Sequence, residues 1–366
     1  WCRFTDLPLP DVLSSTETGR NGESGKTASG DLNAPIRKAA EYLIGRQRGD
    51  GSWEGPASNM LLSGGQAYFD AFAVARTALA TCALDEALPL LDKPLGARAR
   101  QAVEKGLKYI HEWQPQASVF PATYALYAEL KFYDDLSSKE KKAAKERINK
   151  LLETLQGIEH DGGWTYTNSP EGRLHTFNTA PILINLAMLR ELKLGDVDDM
   201  IERAQKFLEQ ERVGDLAVFH YGSSMHHLTS VEKPKGGSMR STLCELALVQ
   251  SGVKDERKKR LGESVDLFFE YIDDVRSTAK RWESFFSPDA GHDAYHYYFG
   301  TWYASQAILE LPDAKRIKAD SKKLAEKLLL TQELDGGYCD AQISDGRNTA
   351  TAMALMTLVN CKKGQD

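Results

Sequence analysis

The stretch Gly291–Tyr303, "GHDAYHYYFGTWY", is the densest collection of chemistry-bearing side chains in the sequence. His292 and His296 stand four residues apart, the spacing that shares one helical face, and Asp293 between them can orient an imidazole or cap the helix start. Imidazole and carboxylate together move protons near neutral pH, so these three are the leading candidates for acid–base work. Tyr298 and Trp302 follow with ring faces that a substrate can meet. Other polar residues interrupt apolar segments: Asp70 in "AYFDAFAVA", His175 in "RLHTFNTA", Arg240 in "MRSTLCEL", and Asp345 with Arg347 in "SDGRNTAT". Each also has a structural reading. Asp70 can be an early-turn carboxylate, Asn178 beside His175 a helix cap, and Arg240 and Glu245 halves of ion pairs to neighbouring helices, because a buried charge demands a partner. Tyr68, Phe72, Tyr124 and Phe177 either line a binding cavity or fill the core.

Metal chemistry finds less support. The five cysteines are widely spread with no C-x-x-C, and Cys339 in "GGYCDAQ", Cys244, His292 and His296 lack the spacing of a ligand set, so neither a metal nor a cofactor is expected. The stretch Phe219–Gly237 is the longest without periodicity and brings His226 and His227 to a candidate lid.

The elements that position these residues emerge from self-comparison. "QRGDGSW" at Gln47, "QGIEHDGGW" at Gln156 and "QELDGGY" at Gln332 share one form: a glutamine, a glycine-bearing turn, and an aromatic. Each closes an apolar-periodic run, and recurrence in several repeats marks a structural clasp rather than a catalytic loop. Degenerate copies end at Gln114 and Gln210, and a sixth run carries Leu261, Val265, Phe268 and Ile272. Between these amphipathic helices lie six small-residue-rich segments that are apolar nearly all round, the signature of buried helices. Six outer and six inner helices predict an all-α (α/α)6 toroid over residues 34–361, preceded by a polar, Gly/Ser-rich arm at 1–33 and followed by a tail at 362–366. A net charge of -6 with well-mixed signs gives no surface for nucleic acid, and no run is long and apolar enough to span a membrane.

The three clasps resemble the QW repeats of squalene-hopene cyclases and the repeats of protein prenyltransferase beta subunits. "RSTLCELAL", "YHYYFGTWYASQAILELP" and "TQELDGGYCDAQISDGRNTATAMALMTL" are similar to a group of bacterial secreted squalene-cyclase-like proteins. The resemblance implies the toroid, an apolar or prenyl small-molecule ligand in a central cavity, and an extracytoplasmic location compatible with a chain that starts at Trp1, processed or truncated. It does not carry over the chemistry. Cyclases of that kind use a D-x-D-D acid, and Asp196–Asp199 match it in letters, but they open the outer helix "MIERAQKFLEQ", where Asp196 reads as the N-cap and Asp198 and Asp199 as first-turn charges facing the helix dipole. The zinc ligands of the prenyltransferases have no counterpart in spacing. Two alternatives therefore stand beside the prenyl reading: a non-catalytic scaffold, and a carbohydrate-active ring using Asp70 with Asp293 or Asp345, with Trp113 or Trp302 stacked on sugar. Cavity polarity separates them. A closed greasy pocket favours prenyl chemistry, a wet groove favours carbohydrate, and a filled mouth favours a scaffold.

Overall fold

The computed structural model describes residues 31–53, 65–115, 118–166, 174–214, 217–222, 234–252, 256–278, 297–339 and 346–366, with 65–71, 256–257 and 277–278 as backbone. The expected arm at 1–33 lies outside them up to residue 30. Twelve α-helices alternate along the described chain. The outer set is α1 (Asn33–Arg46), α3 (Lys93–Glu112), α5 (Ser138–Gln156), α7 (Asp198–Gln210), α9 (Glu256–Thr278) and α11 (Ala314–Leu329). The inner set is α2 (Gly65–Ala87), α4 (Val119–Phe132), α6 (Thr176–Glu191), α8 (Pro234–Gln250), α10 (Tyr297–Leu309) and α12 (Gly346–Gln365). α2 packs on α4, α4 on α6, and so on through α8, α10 and α12, which returns to α2. This is the (α/α)6 ring the periodicity predicts. The last turn of α12 takes in residues 362–365, so the chain stays helical there.

Sequence explains the alternation. The outer helices bury one stripe, as α5 does with Ala144, Ile148, Leu151, Leu152 and Leu155, and leave charges on the other side. The inner ones are buried on nearly every side: α6 buries all but three of its residues, Met188, Arg190 and Glu191. Pro181 lies inside α6 as its sixth residue and withholds the N–H that would reach Phe177 O.

The clasps pin successive outer helices. Gln47 Nε2 donates to Gly51 O at 3.1 Å and to Ala102 O of α3 at 2.8 Å. Gln332 repeats this with Gly336 O at 3.1 Å and Pro35 O of α1 at 3.0 Å, so the last outer helix is fastened to the first. Gly51, Gly162 and Gly336 sit at φ of 92°, 84° and 86°. A Cβ there would meet the backbone oxygen of Lys105, Arg203 or Lys38 at 2.4, 2.2 or 2.5 Å, so glycine is required twice over, by angle and by contact. The aromatic of each clasp then turns inward: Trp53, Trp164 and Tyr338 donate their backbone N–H to Thr77, Thr179 and Thr351 of the following inner helix.

Two expectations are corrected. Gln156 is exposed and makes no clasp, because two extra residues separate it from Gly162; Glu159 takes its place, accepting from Gly162 N at 3.0 Å and pairing with Arg203 of α7 at 2.6 Å. Asp196 is not the cap of α7. The helix starts at Asp198 with Val197 as N-cap and no side-chain cap bond, while Asp198 and Asp199 do occupy the first turn.

The two ends of the ring differ. Connections from inner to outer helices are short: 88–92 (with a 3-10 turn at Leu88–Leu90), 133–137, 192–197, 251–255 and 310–313. Connections from outer to inner helices are long, at 47–64, 157–175, 211–233, 279–296 and 330–345, with 113–118 the exception. All the long ones therefore join the ring at the end where the inner helices begin.

Candidate active site

Long connections gathered at one end of a rigid ring are the usual seat of function, and the inner-helix N-termini form its floor. His175 is the N-cap residue of α6, held extended between two strands of chain: its N–H donates to Trp164 O at 3.0 Å, and its backbone bridges to Gly222 on the other side. The imidazole is sandwiched by aromatic rings, Tyr166 at 4.7 Å and Tyr221 at 5.0 Å between centroids, and the two phenol oxygens of these tyrosines hydrogen-bond each other. Arg240, in the second turn of α8, fixes the segment that carries Tyr221. Its Nε and Nη2 donate to Phe219 O at 3.2 and 3.0 Å, Nη1 donates to Gly236 O at 2.7 Å, and its guanidinium lies 5.6 Å from the Tyr221 ring. Arg240 thus ties the start of α8 to the segment that carries Tyr221. Asn178 is not the cap expected of it; it lies inside the first turn of α6, 3% exposed, with its side-chain Nδ2 unbonded in a buried position.

Among the described residues the ring axis carries aromatic packing. Phe72 stacks on Phe120 at 5.2 Å, Phe120 meets Tyr124 edge-on at 4.7 Å, and Phe177 meets Phe299 at 4.5 Å. Trp302 is 1% exposed and packs on Tyr303, Tyr127 and Tyr124. Tyr124 and Tyr303 join hydroxyls at 3.3 Å, and burial pushes both phenols well above their ordinary range, so neither serves as a base. Among the described residues the axial space around Trp302 leaves about 10 Å³ for the centre of a water, room for at most one molecule.

The remaining expected residues divide in two. Tyr298 is buried against Tyr297 and Tyr338, and Arg347 pairs with Asp335 at 2.9 Å while covering the Tyr42 ring at 5.2 Å, so Arg347 steadies the third clasp. His292, Asp293, His296 and Asp345 lie outside the described residues, as do the side chains of Tyr68 and Asp70 on the first turns of α2. All six belong to segments that end at, or begin, inner helices at this same end. Tyr166 and Tyr221 were missed by sequence reasoning. The signal was present: Tyr166 follows the clasp Trp164 by two residues, and Tyr221 stands in the long stretch already singled out from Phe219. Glu245, which needed a partner, finds Arg212 beyond the end of α7, with Glu209 holding the same guanidinium at 3.1 Å. Among the described residues no three His, Cys, Asp or Glu side chains converge as a metal site, and no helix is long and apolar enough to cross a membrane.

No family model and no curated protein matches the chain. Solved structures do. The chain is similar to the GH76A α-1,6-mannanase of Salegentibacter sp. HEL1_6, at 13% identity and a TM-score of 0.64, covering 92% of this chain and 100% of that one. It is similar to a GH76 α-mannanase of Bacteroides thetaiotaomicron, at 9% identity and a TM-score of 0.61 over 92% and 97% of the two chains. A possible GH105 member from Klebsiella pneumoniae gives 10% and 0.58 over 99% of each. At these identities the likeness shows the shared ring.

The resemblance to squalene cyclases and prenyltransferase subunits is thereby corrected. The rings similar to this one are glycoside hydrolase rings, and the clasps that carried the resemblance are architectural, present because successive outer helices must be pinned. The expected apolar ligand is corrected with it: aromatic side chains occupy the axis where such a ligand would lie, and the Salegentibacter enzyme has been captured with α-1,6-mannotriose.

Proposed function

We propose that this chain is a carbohydrate-active (α/α)6 ring, of glycoside hydrolase or lyase type, which takes a glycan at the end where the inner helices begin. The observation that carries this reading is the aromatic cluster at the end where the inner helices begin: His175, Tyr221 and Phe177 are buried and Tyr166 is partly exposed at their edge. A partly exposed ring there offers the C–H face of a sugar a surface to stack on. The similar mannanases support it as analogues. One of them is inactivated by replacing two adjacent aspartates.

Adjacent aspartates occur three times here: two pairs lie at the far end of the ring, and the third is exposed and held by lysines. Asp134–Asp135 lie exposed in the 133–137 connection and Asp198–Asp199 at the start of an outer helix, both at the opposite end. Asp273–Asp274 lie exposed on α9, paired with Lys327 and Lys235. We therefore assign the acid and base to Asp70, Asp293 and Asp345, with His292 and His296 as their companions, one carboxyl protonating the leaving oxygen and another assisting attack. An extracytoplasmic location would bring the chain to cell-wall and environmental glycans.

Incubation with α-1,6-mannan and with polygalacturonate tests the reading, following reducing ends for hydrolysis and ultraviolet absorbance of an unsaturated product for elimination. Turnover of one of them is expected, falling about 10²- to 10⁴-fold in Asp293→Asn or Asp345→Asn. Full activity in both variants and in Asp70→Asn would remove these carboxylates from the mechanism; no turnover of either polymer would sink the hydrolase or lyase reading.

A further inference from the structure

The seam between α3 and α5 is one of those without a clasp, and it opens into a cavity that leaves about 70 Å³ for the centre of a water, against about 10 Å³ around Trp302. Its inner wall holds a buried polar set. Glu129 of α4 is 3% exposed and receives Arg147 of α5 as a fork, Nε to Oε1 at 2.5 Å and Nη2 to Oε2 at 3.0 Å. Arg147 Nη2 also reaches His111 Nε2 of α3 at 3.2 Å. A guanidinium only donates, so His111 accepts at Nε2 and keeps its proton on Nδ1. The outer lip is made by Trp113, Gln114 and Pro115, with Lys150 of α5 opposite. Trp113 is half-buried, while Gln114 and Lys150 are exposed.

We infer that this cavity is an accessory saccharide subsite that receives one sugar unit of a glycan whose scissile part lies at the mouth; the inference rests on the glycan reading given above. Two arguments select the ligand. The first is the lining. An indole face suits the C–H side of a pyranose, and Glu129, Arg147, Gln114 and Lys150 offer acceptors and donors to its hydroxyls. A fatty chain would strand those charges. The second argument is topology. The connection 113–118, which forms the lip, is the one short link among the outer-to-inner connections. It is the least chain between the mouth and the outer face, and Trp113 within it lines the cavity, so a glycan at the mouth has its shortest way to the outer face there.

The test is affinity electrophoresis of the full chain through gels containing α-1,6-mannan or polygalacturonate, comparing wild type with Trp113→Ala, Lys150→Ala and His175→Ala. Lys150 is exposed, so its removal reports on binding without disturbing the fold. Both flank variants are expected to bind about five- to tenfold more weakly than wild type, the loss typical of one anchor residue, and His175→Ala to bind more weakly as well. Wild-type retardation in both flank variants, with loss confined to His175→Ala, overturns the subsite and leaves the mouth as the glycan site. No retardation of the wild type by either polymer overturns both readings.

Discussion

At the scale of single residues, His111 is the group whose environment makes the clearest demand. Its ring faces Glu129 on α4 and Arg147 on α5, with Lys108 and Glu112 on its own helix engaged with each other at 3.8 Å. Burial holds its pKa below the ordinary histidine value; Glu129 pulls the other way and Arg147 adds to the depression. The sign follows. As pH falls through the ordinary value near 6.5, the unfolded chain takes up a proton that the folded imidazole refuses, so stability declines until the folded group protonates too. Urea midpoints measured from pH 8 to pH 5 should therefore fall less steeply in His111→Gln than in the wild type, and identical slopes would refute the neutral, accepting imidazole. This residue was not legible in the sequence as anything but part of a helix end, "HEWQP", because its partners come from two other helices. Arg240 and Glu245 were better posed. Buried charge demanded partners for both, and both have them, though Phe219 O and Arg212 sit in segments that spacing along one helix cannot reveal.

Elements were more legible than sites, since helical periodicity is a local property while a site is assembled across the ring. The alternation of striped and uniformly apolar segments is enough to place six outer and six inner helices. What the pattern left unread is the threonine in each clasped inner helix. Thr77, Thr179 and Thr351 each accept the N–H of a buried clasp aromatic while donating to the carbonyl four residues back, so one hydroxyl joins clasp to helix. A Thr-Ala pair in each of the three helices, Thr77–Ala78, Thr179–Ala180 and Thr351–Ala352, was its only trace. Thr179→Val keeps the shape and removes the acceptor, leaving the N–H of fully buried Trp164 without its partner. The expected cost is about 1–3 kcal/mol in chemical denaturation, with Thr179→Ser restoring most of it. Equal losses for valine and serine would mean that the β-branched shape, and not the hydroxyl, is what the site requires.

For the molecule as a whole, the decisive fact is that the seams are of two kinds. Clasps hold α1 to α3, α5 to α7 and α11 to α1, whereas the seam of α3 with α5 relies on His111 and Arg147, backed by Glu129 of α4, and that of α9 with α11 on Arg316, Asp266, Lys327 and Asp273. The third clasp makes the difference between a closed ring and an open stack of hairpins. In an open stack each repeat would lean only on its neighbours, and damage at the ends would free the ends alone. In a closed ring the seam between α11 and α1 is as internal as any other. Gln332→Ala removes the bond to Pro35 and Gln47→Ala the bond to Ala102, in matching surroundings. Both should lower the single unfolding midpoint by a similar amount, about 1 kcal/mol each, with unchanged denaturant slope. An early, separate transition in Gln332→Ala, absent from Gln47→Ala, would instead show that α1 and α12 detach before the rest, and that closure contributes little to the cooperativity that holds the mouth in shape.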